Sequence, residues 1–201
     1  MSTPQNHAPI PPRPAAVPFG DPAGLGLAAF ALTTFVLSAV NAGWVPKDVS
    51  GVVLGLALFY GGAAQLVAGI WEFANRNTFG AVAFCSYGAF WMSFWFLETA
   101  TTLGDDAAKG VGLYLFAWGI FTLYMTVAST RTNTVVMLVF IALTLTFFAL
   151  ALGEWVAPGW GTFGGYLGLV TALLAWYGSF ATVTNSTYKR TVLPIGPLAK
   201  D

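Results

Sequence analysis

The sequence predicts an all-α, polytopic membrane protein of six transmembrane helices, built as an inverted repeat of three. Three observations carry that prediction. The chain is 57% apolar and only 8% charged, against about 25% charged residues in soluble domains. Six apolar runs, each close to the ~20 residues a helix needs to cross a bilayer, are separated by short polar or Pro/Gly punctuation. The landmarks of the first three runs also recur, in order, in the last three.

The first run, 25–44, follows Asp21-Pro22, a pair suited to a helix start, and ends at Trp44 before Pro46. Its Phe30, Thr33, Thr34, Leu37 and Asn41 fall on one helical face, a stripe of hydroxyls and an amide among apolar groups. In the second run, 51–71, Gly61, Gln65 and Gly69 share a face with Glu72 one step further, and Gly51 and Gly55 are expected to let a neighbour approach. The third, 79–97, offers Ser86, Tyr87, Phe90 and Ser93. The fourth, 111–130, opens with Gly110-Val111-Gly112-Leu113-Tyr114-Leu115-Phe116-Ala117, which answers Gly24-Leu25-Gly26-Leu27-Ala28-Ala29-Phe30-Ala31 and pairs Phe116 with Phe30. The fifth, 134–152, carries Leu143, Thr144 and Phe147, and its trailing Glu154-Trp155 answers Trp71-Glu72. The sixth, 161–184, opens on Thr162-Phe163-Gly164, answering Thr78-Phe79-Gly80. Because three is odd, the two halves cross the membrane in opposite senses.

Outside the runs, residues 1–20 are proline-rich and read as a disordered cytoplasmic tail rather than a signal peptide, which needs an apolar core. Residues 21–186 form the six-helix domain and 187–201 a second cytoplasmic tail. Six spans place both termini on one side with Arg13, Arg76, Arg131, Lys189, Arg190 and Lys200, leaving Lys47 and Lys109 opposite. The positive-inside bias therefore puts both termini in the cytoplasm, and Trp44, Trp71, Trp155 and Trp160 at span ends read as interfacial anchors.

Composition also excludes functions. A net charge of zero without a basic run gives no footprint for nucleic acid. The lone Cys85 forbids an internal disulfide and reads as a small buried hydrophobe, and one His with one Cys cannot assemble a zinc site. No His lies in any run, which argues against an intramembrane enzyme; no cofactor is expected. Glu72, Glu98 and Glu154 all fall near span ends, unlike the deep carboxylates of ion pumps. Mild polarity without a buried base points to a path for a small, weakly charged solute.

Several blocks then read together: Asp21-Pro22-Ala23-Gly24-Leu25-Gly26-Leu27, Phe59-Tyr60-Gly61-Gly62-Ala63-Ala64-Gln65, Trp71-Glu72-Phe73, Asn77-Thr78-Phe79-Gly80, Ser86-Tyr87-Gly88-Ala89-Phe90-Trp91 and Arg190-Thr191-Val192-Leu193-Pro194-Ile195-Gly196. They resemble the acetate/succinate permease family of bacteria and fungi, also called the acetate uptake transporter family, from residue 21 to 196. The resemblance implies a homohexamer in the plasma membrane, the inner membrane in bacteria, with one path per protomer for acetate, succinate and related small carboxylates. Members are described both as proton symporters and as anion channels. It further implies a constriction of Phe30, Tyr87 and Leu143, with Tyr87 able to contact a carboxyl group. Asp21, Pro22, Gly24, Leu25, Gly26, Thr33, Thr34, Asn41, Gln65, Ser86 and Thr144 complete the expected binding path. Gly24 and Gly26 would expose backbone amides to a carboxylate. The opening block departs from the family: Asp21 stands for its usual Asn and Gly24 for its usual second Pro. Asp21 reads better as a helix cap than as a charge at an anion site. The competing readings are a urea- or amide-type hexameric channel and a membrane sensor that transports nothing.

Overall fold

The computed structural model describes residues 19–198. The six expected spans are six helices, each long and apolar enough to cross a bilayer: α1 Ala23–Asn41, α2 Gly51–Ala74, α3 Thr78–Ala100, α4 Ala107–Ser129, α5 Thr134–Trp155 and α6 Pro158–Tyr188. The chain is a multi-pass membrane protein. Of the proline-rich segment, only Phe19 and Gly20 fall within the described residues.

The turns explain where helices stop and start. Arg76 adopts a left-handed φ of 59°, and the Asn77 amide bonds the Glu72 carbonyl at 3.0 Å, closing α2. Asn77 then caps α3, its Oδ1 accepting from the Gly80 amide at 3.0 Å, and Asn133 caps α5 through the Val136 amide at 2.9 Å. Pro158 occupies the first turn of α6, where its missing N–H costs no helical bond. Asp21 accepts from the Ala23 amide at 2.9 Å, so it caps α1 as its residue type predicts. Within α2, Leu56–Ala64 winds as a π-helix rather than an α-helix. A side chain at Gly62 would lie 2.5 Å from the Ala57 carbonyl, so this winding needs glycine there.

Neighbouring helices run antiparallel in a closed ring of six, with α1 against both α2 and α6. Close seams are made where one partner has no side chain. Gly69 abuts the Cys85 backbone and Gly88 the Leu66 backbone between α2 and α3. Gly164 meets Leu150 between α5 and α6, as Gly80 meets Glu72 in the first half. Gly24 and Gly26 face Val183 and the Phe84 ring, so these glycines serve helix packing instead of exposing amides. Gly51 and Gly55 have nothing within 4 Å, contrary to the close approach expected of them within the protomer. The C-terminal segment doubles back over the α4–α5 turn. Asn185 brackets Val192 and Leu193, Tyr177 donates to the Pro194 carbonyl at 2.7 Å, and Thr134 bonds Gly196.

Residues paired by the sequence repeat sit in different surroundings in the two halves. Phe30 is buried, whereas Phe116 is 38% exposed and packs on Phe148 and Trp155. Both carboxylates lie near span ends as expected, but Glu154 is exposed whereas Glu72 is 1% exposed. The reason is local: Gly80 has no Cβ, and Asn77 reaches back to hold the carboxylate at 3.0 Å.

Candidate solute path

Three helices bring Phe30, Tyr87 and Leu143 into one buried cluster, with exposures of 5%, 3% and 4%. The Phe30 and Tyr87 rings lie 5.7 Å apart, and Tyr87 is further enclosed by Phe121 at 5.5 Å, Phe140 at 6.0 Å and Trp118 at 6.1 Å. Such tilted and edge-on pairs fix ring orientation beyond simple area burial.

One hydrogen bond orients the centre of this cluster. The Tyr87 hydroxyl lies 2.9 Å from Thr122 Oγ1, and Thr122 also sits 2.7 Å from the Trp118 carbonyl of its own helix. A threonine has a single hydroxyl proton, and only that proton can serve the carbonyl. Tyr87 is therefore the donor to Thr122. Its oxygen keeps lone pairs that can accept from the O–H of a neutral carboxylic acid, while its proton is not free for an anion.

The remaining residues separate into groups. Thr33 is buried against Gly61 and donates to the Ala29 carbonyl at 2.9 Å, an intrahelical bond. Thr34 and Gln65 are buried on α1 and α2, and their Oγ1 and Oε1 atoms have no partner. Thr144 is tied to the Phe140 carbonyl at 2.8 Å and to Thr126 at 2.9 Å, an α4–α5 contact. Ser86 lines a cavity of about 260 Å³ between α3 and α4 with Tyr114, Ala117, Trp118 and Phe121. Asp21 and Pro22 sit at the foot of α1, Leu25 points outward, and Asn41 lies at the far end, its backbone against Gly165.

Sequence reading passed over the α4 side of the site. Tyr114, Trp118 and Phe121 recur at helical spacing beside Thr122, and that aromatic stripe was the available signal. Phe140 was passed over as well, although it belongs to the same cluster.

The sequence profile of the GPR1/FUN34/yaaH family matches residues 4–200. The chain is 47% identical over 176 residues to accumulation of dyads protein 2 of Saccharomyces cerevisiae, covering 83% of this chain and 62% of that relative. It is 40% identical over 181 residues to the succinate-acetate/proton symporter SatP of Escherichia coli K12, covering 88% of this chain and 95% of that relative. Its fold is similar to that of the bacterial acetate channel SatP, with a TM-score of 0.83 at 38% identity, covering 89% of this chain and 100% of that one. The chain thus spans about three-fifths of the yeast relative's length and nearly all of the bacterial ones.

Proposed function

We propose that this chain, which belongs to the GPR1/FUN34/yaaH family, moves acetate, succinate and related small carboxylates across a membrane, coupled to protons. The carrying observation is the buried Phe30–Tyr87–Leu143 cluster at the centre of a six-helix ring. A closed aromatic and aliphatic ring strips water from a solute and so penalises charge. The Tyr87 oxygen, accepting where its proton is already engaged, favours the neutral acid at that point. Names of relatives support the substrate class, since two similar proteins are called a succinate-acetate/proton symporter and an acetate channel.

The assembly is a homohexamer with one path per protomer, resident in the plasma membrane, the inner membrane if the source is bacterial. Both termini face the cytoplasm by the distribution of basic residues. Asp21 and Pro22 form the cytoplasmic approach, and Gly24 and Gly26 close the helix packing beside it. Thr33, Thr34, Gln65, Ser86 and Thr144 supply the polarity around the constriction, and Asn41 supplies it at the far end of α1. The deciding measurement is the flux of labelled acetate and of labelled urea into proteoliposomes at two pH values. Protein-dependent acetate flux, inhibited by succinate and greater at the lower pH, is expected. Urea flux in its place would make the protein an amide-type channel, and no flux of either would make it a sensor.

A further inference from the structure

Among the described residues, four buried side-chain polar atoms lack a hydrogen-bond partner: Thr34 Oγ1, Gln65 Oε1, Glu72 Oε1 and Trp91 Nε1. They lie on α1, α2 and α3, and none lies on α4, α5 or α6. Buried polar atoms are rarely left unpaired, and such a group signals bound water, an ion or a functional role. Glu72 stands out because it can gain a proton. Its Oε2 accepts from Asn77 Nδ2 at 3.0 Å, whereas Oε1 meets no donor at 1% exposure. Gly80 keeps that oxygen uncrowded, since a Cβ there would come within 2.9 Å of it.

The surroundings are short of charge. Helix α2 packs on α1 and α3. From the α1 side, Asp21 is the charged group that acts on Glu72, and Phe19 packs tilted on Trp71 with ring centroids 5.2 Å apart, placing this N-terminal segment over the end of α2. From α3 come the neutral Asn77 and the Cys85 thiol, which lies against Gly69 and points to the Leu66 carbonyl at 3.9 Å. Among the described residues no basic side chain pairs with Glu72, and the ion pair is Lys109–Asp106, at the opposite end. Glu72 and Gln65 occupy one buried face of α2, about 10 Å apart at ~1.5 Å per residue. Gly61, one turn beyond Gln65, abuts Thr33, which places Thr34 at the same level.

We propose that Glu72 is the proton-carrying group of this transporter, with the proton lodged on Oε1 and relayed towards the constriction by water held on Gln65 and Thr34. This rests on the carboxylate reading above. A proton from the aqueous mouth adds to Oε1 and gives the neutral acid, whose Oε2 continues to accept from Asn77. Release returns the same proton to water and restores the carboxylate, and no other bond changes.

The test uses the full chain in proteoliposomes, with labelled acetate to follow solute, an internal pH dye to follow protons, and protein-free vesicles subtracted. The wild type is expected to bring in protons with acetate. Glu72→Gln should lose protein-dependent proton movement while still exchanging labelled acetate at equal concentrations. Glu72→Asp should restore coupling, and Cys85→Ser should retain it. Coupling in Glu72→Gln equal to the wild type overturns the assignment. Wild-type acetate flux without protein-dependent proton movement also overturns it and leaves carboxylate transport standing, whereas no acetate flux at all sinks both. Should Glu72→Gln fail to assemble, pH-difference infrared spectra decide: a titrating carboxyl band that shifts in Glu72→Asp supports the proposal, and an unchanged spectrum refutes it.

Discussion

The direction of the Tyr87–Thr122 hydrogen bond makes a sharp prediction about two conservative substitutions. Tyr87→Phe removes only the hydroxyl and keeps the ring contacts with Phe30, Phe121, Phe140 and Trp118. Thr122 retains its own bond to the Trp118 carbonyl at 2.7 Å, so no donor is stranded. The loss is then that of one hydrogen bond, about 0.5–1.5 kcal/mol, and nearer the low end between membrane helices. Thr122→Val has the opposite consequence, because it leaves the Tyr87 O–H buried with nothing to donate to. Stranding such a group costs about 1–3 kcal/mol. Thr122→Val should therefore destabilise more than Tyr87→Phe, and adding Tyr87→Phe to Thr122→Val should recover part of the loss. Unfolding of the purified protein in detergent, followed by tryptophan fluorescence, measures all four members of the cycle. Additive effects, or a milder Thr122→Val, would show that Thr122 is the donor or that the bond carries no weight.

Two further outcomes follow from the same geometry. Leu143→Ala removes branched volume from the buried cluster, so it should raise succinate flux relative to acetate, and an unchanged ratio in correctly assembled protein would show that Leu143 only packs. Asp21→Ala should lower stability by about 1 kcal/mol because the cap to Ala23 is lost. Asp21→Asn, an equally good cap, should leave the thermal midpoint unchanged, and a matching loss in both would remove the capping argument.

The sequence disclosed the helices because apolar runs of fixed length leave little freedom, and the observed ends differ from the expected ones by only a few residues. Tail residues such as Arg190 to Gly196 were legible as a block, but not as a segment that returns to Thr134, since that contact is long-range. Glu72 lies near the end of α2 as its position indicated, but its enclosure was not legible, because it depends on the pairing of Asn77 with Gly80 across the turn. Gly24 and Gly26 carried an ambiguous signal, because a missing side chain serves a backbone contact and a helix contact equally well. Phe30, Tyr87 and Leu143, which the structure gathers in one buried cluster, were singled out through their motifs. Their partners on α4 belonged to no motif and required the fold.

The inverted repeat expected from the sequence would equate the α1–α6 seam with the α3–α4 seam, yet the two are built differently. At α1–α6, Gly24, Gly165, Gly168 and Gly178 let backbones approach, and Ser179 donates to the Gly24 carbonyl at 2.7 Å. At α3–α4, Tyr87 and Phe90 meet Tyr114, Trp118 and Phe121, so rings hold the two backbones apart and leave the cavity beside Ser86. Parting α1 from α6 would break backbone-close packing along most of a span. Widening the α3–α4 side needs rings to rotate, motions far faster than helix separation, and the hydroxyl bonds of Tyr87 and Tyr114 to exchange. The Tyr87 ring belongs to that seam and to the proposed constriction at once, and its bond to Thr122 at 2.9 Å, with the Tyr114–Ser93 hydroxyl pair at 2.7 Å, ties α3 to α4 there.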